Sequence, residues 1–368
     1  ALYAVYNTKE IFMMKYPLCF LSSSMFVLML LSCIAFSSDV VTILDENVDD
    51  VIKYITSGQG KPAKSTNDKF KGNEALKIGV DGGDGSQNNP FRTISHALPL
   101  IFPTSENPLI IHLSSGTYSP DSGESFPLQL HSYTSIVGAG EDISVIDPMG
   151  TSRVFTMENA SNINLSHLTI TGGMTDGLYP LNHGGGIRMR LCDDIAFDNI
   201  TISDNQSKFG GGISAYFSEL VIEDAVFDGN MAICEDANLD GECDYQGDVE
   251  DLFLGGGGAI FTAGLQHPSN TTLDRVTLTN NTSDIGGAFC SLSGDYLTLN
   301  EVDIYENTVG KNAAVYLNNV DNSSFDRVNV SNNTGCTAQS WSGIGGVFIG
   351  FIASNSGLHT LNRVAITN

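Results

Sequence analysis

Positive charge is what this chain has least of. Its 368 residues carry 17 Lys and Arg against 42 Asp and Glu, a formal net charge of −25. That balance excludes nucleic acid as a partner, because phosphates need basic neutralisation. It suits a soluble surface that meets cations. Tryptophan occurs once, as Trp341. Cysteine is scarce: Cys19, Cys33, Cys192, Cys234, Cys243, Cys290 and Cys336. Removal of an N-terminal leader takes Cys19 and can take Cys33, so no complete disulfide framework is implied. Cys234 and Cys243 are close enough within one loop to pair in an oxidising compartment.

Long apolar runs are also missing, apart from Leu18 to Phe36 behind Met14-Lys15-Tyr16. A short basic start followed by an apolar stretch reads as a secretory leader. The expected organisation is an upstream extension (1–12), a signal peptide or lipoprotein signal (13–38), a polar segment (39–77) and a repeat domain (78–368). Leu30-Leu31-Ser32-Cys33 resembles a bacterial lipobox, which makes Cys33 a lipidation candidate and lipidation the only membrane attachment expected. The protein is therefore expected outside the cell or on a bacterial cell surface or outer membrane.

What the chain does have is Gly, 39 of them, and a recurring pattern. The order apolar-x-x-apolar-x-apolar-x-x-Asn/Gly appears at Leu165–Gly173, Phe197–Asn205, Ile222–Asn230, Leu273–Asn281, Leu299–Asn307 and Phe325–Asn333, and shortened at Leu361–Asn368. Such periodicity marks a solenoid whose units bury their apolar faces only against neighbours. A leucine-rich repeat would place an apolar residue two after the Asn and then a helix. Ser207, Ser283, Val309 and Gly335 stand there instead, followed by the Gly-rich runs at Gly210, Gly257, Gly286 and Gly345. Glycine clusters break helices and permit tight corners. The pattern predicts an all-β, right-handed parallel β-helix solenoid with a short N-terminal capping helix. The repeated Asn predicts a side-chain amide ladder at one corner.

The capping region (78–150) carries Gly82-Gly83-Asp84-Gly85-Ser86, Asn89-Pro90-Phe91-Arg92-Thr93-Ile94, Gly116-Thr117-Tyr118, Glu124-Ser125-Phe126-Pro127-Leu128 and Ile136-Val137-Gly138-Ala139-Gly140. This order resembles the bacterial domain of unknown function that opens many right-handed β-helix proteins of the pectin lyase-like kind. Related openings occur in some secreted pectate lyases. Phe227-Asp228-Gly229-Asn230 with the Gly-Gly-Ala-Ile runs resembles polymorphic outer-membrane protein repeats, which implies surface display. The repeat coils (151–368) stop one residue short of a full motif at Asn368, so the solenoid is expected to continue.

Coil lengths vary at one corner. From motif end to Gly corner the chain takes five residues in three coils, but it is 6, 22 and 7 residues longer after Gly173, Asn230 and Asn333. Insertions on a single side commonly build a binding surface. Tyr179, Tyr245 and Trp341 fall one in each insertion and are candidates for stacking on a polysaccharide or other surface ligand. The long insertion offers Asp236, Asn238, Asp240, Glu242, Asp244 and Asp248 as oxygen ligands for Ca2+, with Gly241 permitting the turn. Residues 231–254 hold eight carboxylates and no Lys or Arg, a self-repelling density without a cation. The segment resembles EF-hand-type and thrombospondin type 3 calcium loops, except that Gly247 takes the closing Glu position. No catalytic motif of β-helix lyases or hydrolases is intact. Asp176, Asp204 and Asp284, with Lys208, Lys311 and His183, are the nearest acids and bases, and His183 before Gly184 reads first as a turn residue. The expected function is glycan or surface-ligand binding; a calcium-dependent polysaccharide lyase or hydrolase, or a structural passenger segment of a larger surface protein or adhesin, are the alternatives.

Overall fold

The computed structural model describes residues 2–7, 10–15, 75–78, 83, 85, 86, 88–175, 182–233, 256–264, 269–311, 313–335, 349–352 and 358–367. Two units are present. In the first, 1–69, Leu2–Asn7 pairs antiparallel with Glu10–Lys15. The second, 70–368, is a stack of coils in which every named strand pair is parallel.

Three sheets run up this stack among the described residues. The largest holds 15 strands, from Ala75–Ile78 through Ser161–Thr171, Asp193–Ser203, Leu220–Asp228 and Asn270–Thr279 to His359–Asn362. A second has eight, from Leu128–Leu130 through Ile187–Arg190 and Ile213–Tyr216 to Ile349–Ile352. The third has five very short ones, from Gln206–Ser207 to Thr334–Gly335. The chain is a right-handed parallel β-helix. Its motif register is the one the spacing predicts: Leu165, Phe197, Ile222, Leu273, Leu299, Phe325 and Leu361 are successive partners.

Alternation explains the core. Ile200, Ala225, Val276 and the columns of Phe197, Phe227 and Phe289 point inward and are buried, while their neighbours along each strand face out. Corners need left-handed backbone, which costs an L-residue roughly 1–2 kcal/mol. The column His167, Asn199, Asp224, Arg275, Glu301, Arg327 and Arg363 adopts it throughout, with φ between 48° and 56°. Its charges pair up the stack: Arg275 forks onto Asp224 at 2.7 and 2.9 Å, and Arg327 meets Glu301 at 2.7 Å. These pairs are exposed and add little stability. At Gly257 the requirement is stricter, because φ is +67° and a Cβ would lie 2.1 Å from the Ile260 carbonyl oxygen.

The predicted amide ladder is present. Nδ2 of Asn205, Asn230, Asn281 and Asn307 each donates to Oδ1 of the next Asn at 2.9–3.0 Å, ending on Asn333. That same Oδ1 also accepts the backbone N–H of the Asn below, and each Nδ2 donates a second bond to a main-chain carbonyl such as Phe227 O. Buried corner groups that no strand could satisfy are thereby paired.

The capping helix, α1, spans Ile94–Ala97. Thr93 Oγ1 accepts the His96 N–H, and the buried Glu124 carboxylate accepts the N–H groups of Ile94 at 2.5 Å and Ser95 at 2.9 Å. Glu124 thus explains why Thr93-Ile94 and Glu124-Ser125 belong to one motif: a carboxylate neutralises the helix's first donors. Ile94, Ala97 and Leu98 seal the first coil. One register differs from the sequence reading. Ile349, not Phe348, pairs with Val315. A corner at Gly345, in line with Gly286 before Phe289, would have set Phe348 there; the strand runs Ile349–Ile352 instead.

Asn281→Ala removes the acceptor of the buried Asn230 N–H and Nδ2 and the amide donor to Phe227 O and Asn307 Oδ1. Urea denaturation should show a loss of ~2–4 kcal/mol, whereas Asn280→Gly, at the adjacent left-handed position, should cost less than about 1 kcal/mol.

Candidate functional site

The register places the insertions. All three leave the coil after the ladder position and return at the next corner, on the side of the short third sheet. His183, Phe209, Gly256 and Ile285 form bridges that continue this side in line. Asp176, Tyr179, Cys234, Asp236, Asn238, Asp240, Glu242, Cys243, Asp244, Tyr245, Asp248 and Trp341 lie outside the described residues, as does Cys33. Among the described residues no group of three or more His, Cys, Asp or Glu is placed to hold a metal ion. Cys192 and Cys290 are free and buried, and burial raises both thiols, which makes them packing residues.

Beside the insertion side lies the outer face of the second sheet. Two columns run up it, Thr156–Arg188–Ser214–Phe261–Cys290–Tyr316 and Glu158–Arg190–Tyr216–Ala263–Leu292–Asn318. The face divides by chemistry. In the upper coils Phe209, Phe261, Ala263, Cys290 and Tyr316 form an apolar cluster separate from the main core. In the lower coils it is cationic. Arg188 and Arg190 each donate to one oxygen of Glu158 at 3.0 Å, holding that carboxyl below its usual range. Arg153 is buried nearby, its guanidinium drawn down to about 10 by burial and by Arg188.

His183 joins the two halves. Its ring stacks on Phe209 at 4.7 Å and meets Tyr216 edge-on at 5.0 Å, while Nδ1 lies 3.4 Å from Ser214 Oγ. Burial first, then Arg188, Arg153 and Lys208, push its pKa well below the ordinary imidazole value, so it is neutral at pH 7. The structure brings His183 and Lys208 together, the Lys208 amide donating to the Asn182 carbonyl at 3.0 Å. Asp204 faces Asp228, and burial with that neighbour raises its pKa. Asp284 sits in Thr282–Ile285, with Gly310 of the next coil beside it, and Lys311 pairs in register with Ile285.

Sequence reading did not pick out Arg153, Arg188, Glu158, Phe209 or Phe261. A signal was available, since successive residues after each Gly corner must alternate in and out. Ile260-Phe261 and Ala314-Val315-Tyr316 break that alternation by putting large apolar groups on the outside.

These features define a right-handed parallel β-helix protein. Residues 77–233 match the family described as a protein of unknown function (DUF1565), a stretch that covers the cap and the first coils. No functionally curated protein matches it significantly. Among solved structures it is similar to Jun a 1, the major allergen from cedar pollen, at 14% identity over 80% of this chain and 78% of that one, with a TM-score of 0.48. Pectin methylesterase from carrot aligns at 10% identity over 83% and 85%, with a TM-score of 0.39. Pectin methylesterase PemA from Erwinia chrysanthemi aligns at 12% over 77% and 92%, at 0.37. Superpositions this loose carry no activity across, and the fold rests on the strand pairing itself. Among the described residues no helix is long and apolar enough to cross a membrane.

The folded chain holds His183 neutral, while the unfolded chain takes up a proton near pH 6.5. Stability contributed by this burial is therefore present above pH ~6.5 and declines as pH falls from there towards the lower folded value. A single group limits the slope to about 1.4 kcal/mol per pH unit. Equilibrium unfolding between pH 7.5 and roughly 5 should show this decline, and His183→Phe, which keeps the ring, should flatten it.

Proposed function

We propose that this is an exported β-helix protein that binds a polysaccharide along its insertion side. The observation that carries the reading is the register: the three longest departures from the basic coil all leave from one side. Random drift in surface loops would scatter them over several corners. In this reading Tyr179, Tyr245 and Trp341 supply stacking surfaces, and Asp236, Asn238, Asp240, Glu242, Asp244 and Asp248 bind Ca2+. A chain of charge −25 repels an acidic polysaccharide unless a cation stands between them, so calcium would also bridge ligand and loop. Export by the leader at 13–38, with Cys33 as an anchor if lipidated and Cys234–Cys243 as a cross-link of the loop, completes the proposal.

One observation favours a catalytic reading as well. Asp204 and Asp228 are neighbouring carboxyls, and the raised pKa of Asp204 suits proton transfer. Incubation with acidic polysaccharides, followed for unsaturated products or new reducing ends, separates the two; turnover abolished by chelation would replace binding with catalysis.

Calorimetry should show calcium binding at or below millimolar concentration, and calcium should protect residues 231–254 from proteolysis. Asp240→Ala should remove both effects without changing the β-sheet circular dichroism. Retention of acidic polysaccharide in affinity electrophoresis should require calcium and weaken roughly tenfold or more in Trp341→Ala.

A further inference from the structure

At the N-terminal end of the solenoid, away from the insertion side, a cleft of ≈ 420 Å³ opens between the loop after the cap and the corners of the first two coils. Pro103, Thr104 and Ser105 form one wall. His131, Ser132 and Tyr133 with Glu158 and Asn159 form the other, over a floor of Leu130 and Ala160. The size lies within the usual range of small-ligand sites, roughly 300–1,000 Å³.

Its polar groups are unevenly committed. Ser132 Oγ accepts the Ser161 N–H at 3.0 Å, and Thr104 Oγ1 accepts the Asn107 N–H at 3.2 Å. The side chains of His131, Tyr133 and Asn159 make no hydrogen bond. Corner geometry accounts for the position of Asn159 and not for its chemistry: it is left-handed, at φ 49°, as Leu191 and Phe217 are at the same corner of later coils, where apolar side chains serve. Glu158 is the one charge in the lining. Arg188 and Arg190 fix it from the adjoining sheet face, one oxygen each, and each oxygen keeps a lone pair.

We infer that this cleft binds a neutral sugar, one or two pyranose units, as a site separate from the insertion side. An aromatic ring, an amide, an imidazole, hydroxyls and a carboxylate fixed as an acceptor match a ring of adjacent hydroxyl groups on an apolar frame. The carboxylate accepts from hydroxyls, and Asn159 both donates and accepts. Anionic ligands are selected against, because no Lys or Arg lines the cleft and Glu158 does. Cationic ligands gain little, because Arg188 and Arg190 already offset that charge.

The test is calorimetric titration of the full chain with glucose, galactose and N-acetylglucosamine and their disaccharides, with galacturonate as the charged counterpart. At least one neutral sugar should bind more tightly than galacturonate. Asn159→Gly, which retains the left-handed corner, and His131→Ala, at an exposed side chain, should each weaken it roughly tenfold, the loss of about one well-made hydrogen bond. Trp341→Ala should leave it unchanged, so a failure of the insertion-side reading would not touch this one. No neutral sugar bound by the folded chain, tighter binding of galacturonate, or affinity unaltered in both cleft variants would each overturn the inference.

Discussion

The corner asparagine is the constraint on which the rest of this structure depends. A parallel β-helix turns its chain several times per coil, and each turn removes main-chain groups from the ladders that strands provide. At the tightest buried corner Asn230, Asn281 and Asn307 each supply an amide that donates to the next rung and to a main-chain carbonyl and accepts twice, with Asn205 and Asn333 at the ends of the row. The bonds run between coils, so they fix vertical register as well as satisfying polarity. Side chains alternate with a period of two, and a slip of one residue would turn the inward columns out. Gly173 begins the column without a side chain, its N–H simply donating to Asn205 Oδ1 at 2.8 Å.

Charge follows from the same stacking. Like positions recur one above another, so an acidic chain brings its carboxylates into columns. Along the exposed corner ridge, Arg275, Arg327 and Arg363 sit among Asp224, Asp274, Glu301 and Asp326 and break up that repulsion. On the second sheet the few remaining cations are gathered beside Glu158 and His183. Burial and neighbouring positive charge then act together on the imidazole, which stays neutral and packs as an aromatic.

Much of the fold was legible because it repeats. Seven motif starts give six intervals, and every one of those alignments appears as strand pairing; the amide ladder was legible for the same reason, a residue type recurring where geometry demands it. The register of Ile349 was harder, since two Gly-rich alignments differ by one residue and no local motif separates them. The site was less legible. His183 is a turn residue by its sequence context and a buried stacking partner by its contacts with Phe209 and Tyr216. Arg153, Arg188 and Glu158 come from different coils at spacings that vary with the insertions, so no local motif joins them. Glu124 was noticed in its motif without its task, because the helix it caps lies 30 residues earlier.

The ladder also acts as a ruler. Insertions follow Gly173, Asn230 and Asn333, the first, third and sixth rungs of the column. Neighbouring strands are about 4.8 Å apart, so the roots of the inserted segments stand roughly 10 Å and 14 Å from one another along the axis. A compact molecule can reach one root. Contact with all three requires an extended object about 24 Å long, aligned with the solenoid and engaged at unequal intervals, so the spacing favours polymers over their fragments and distinguishes one direction along the chain from the other.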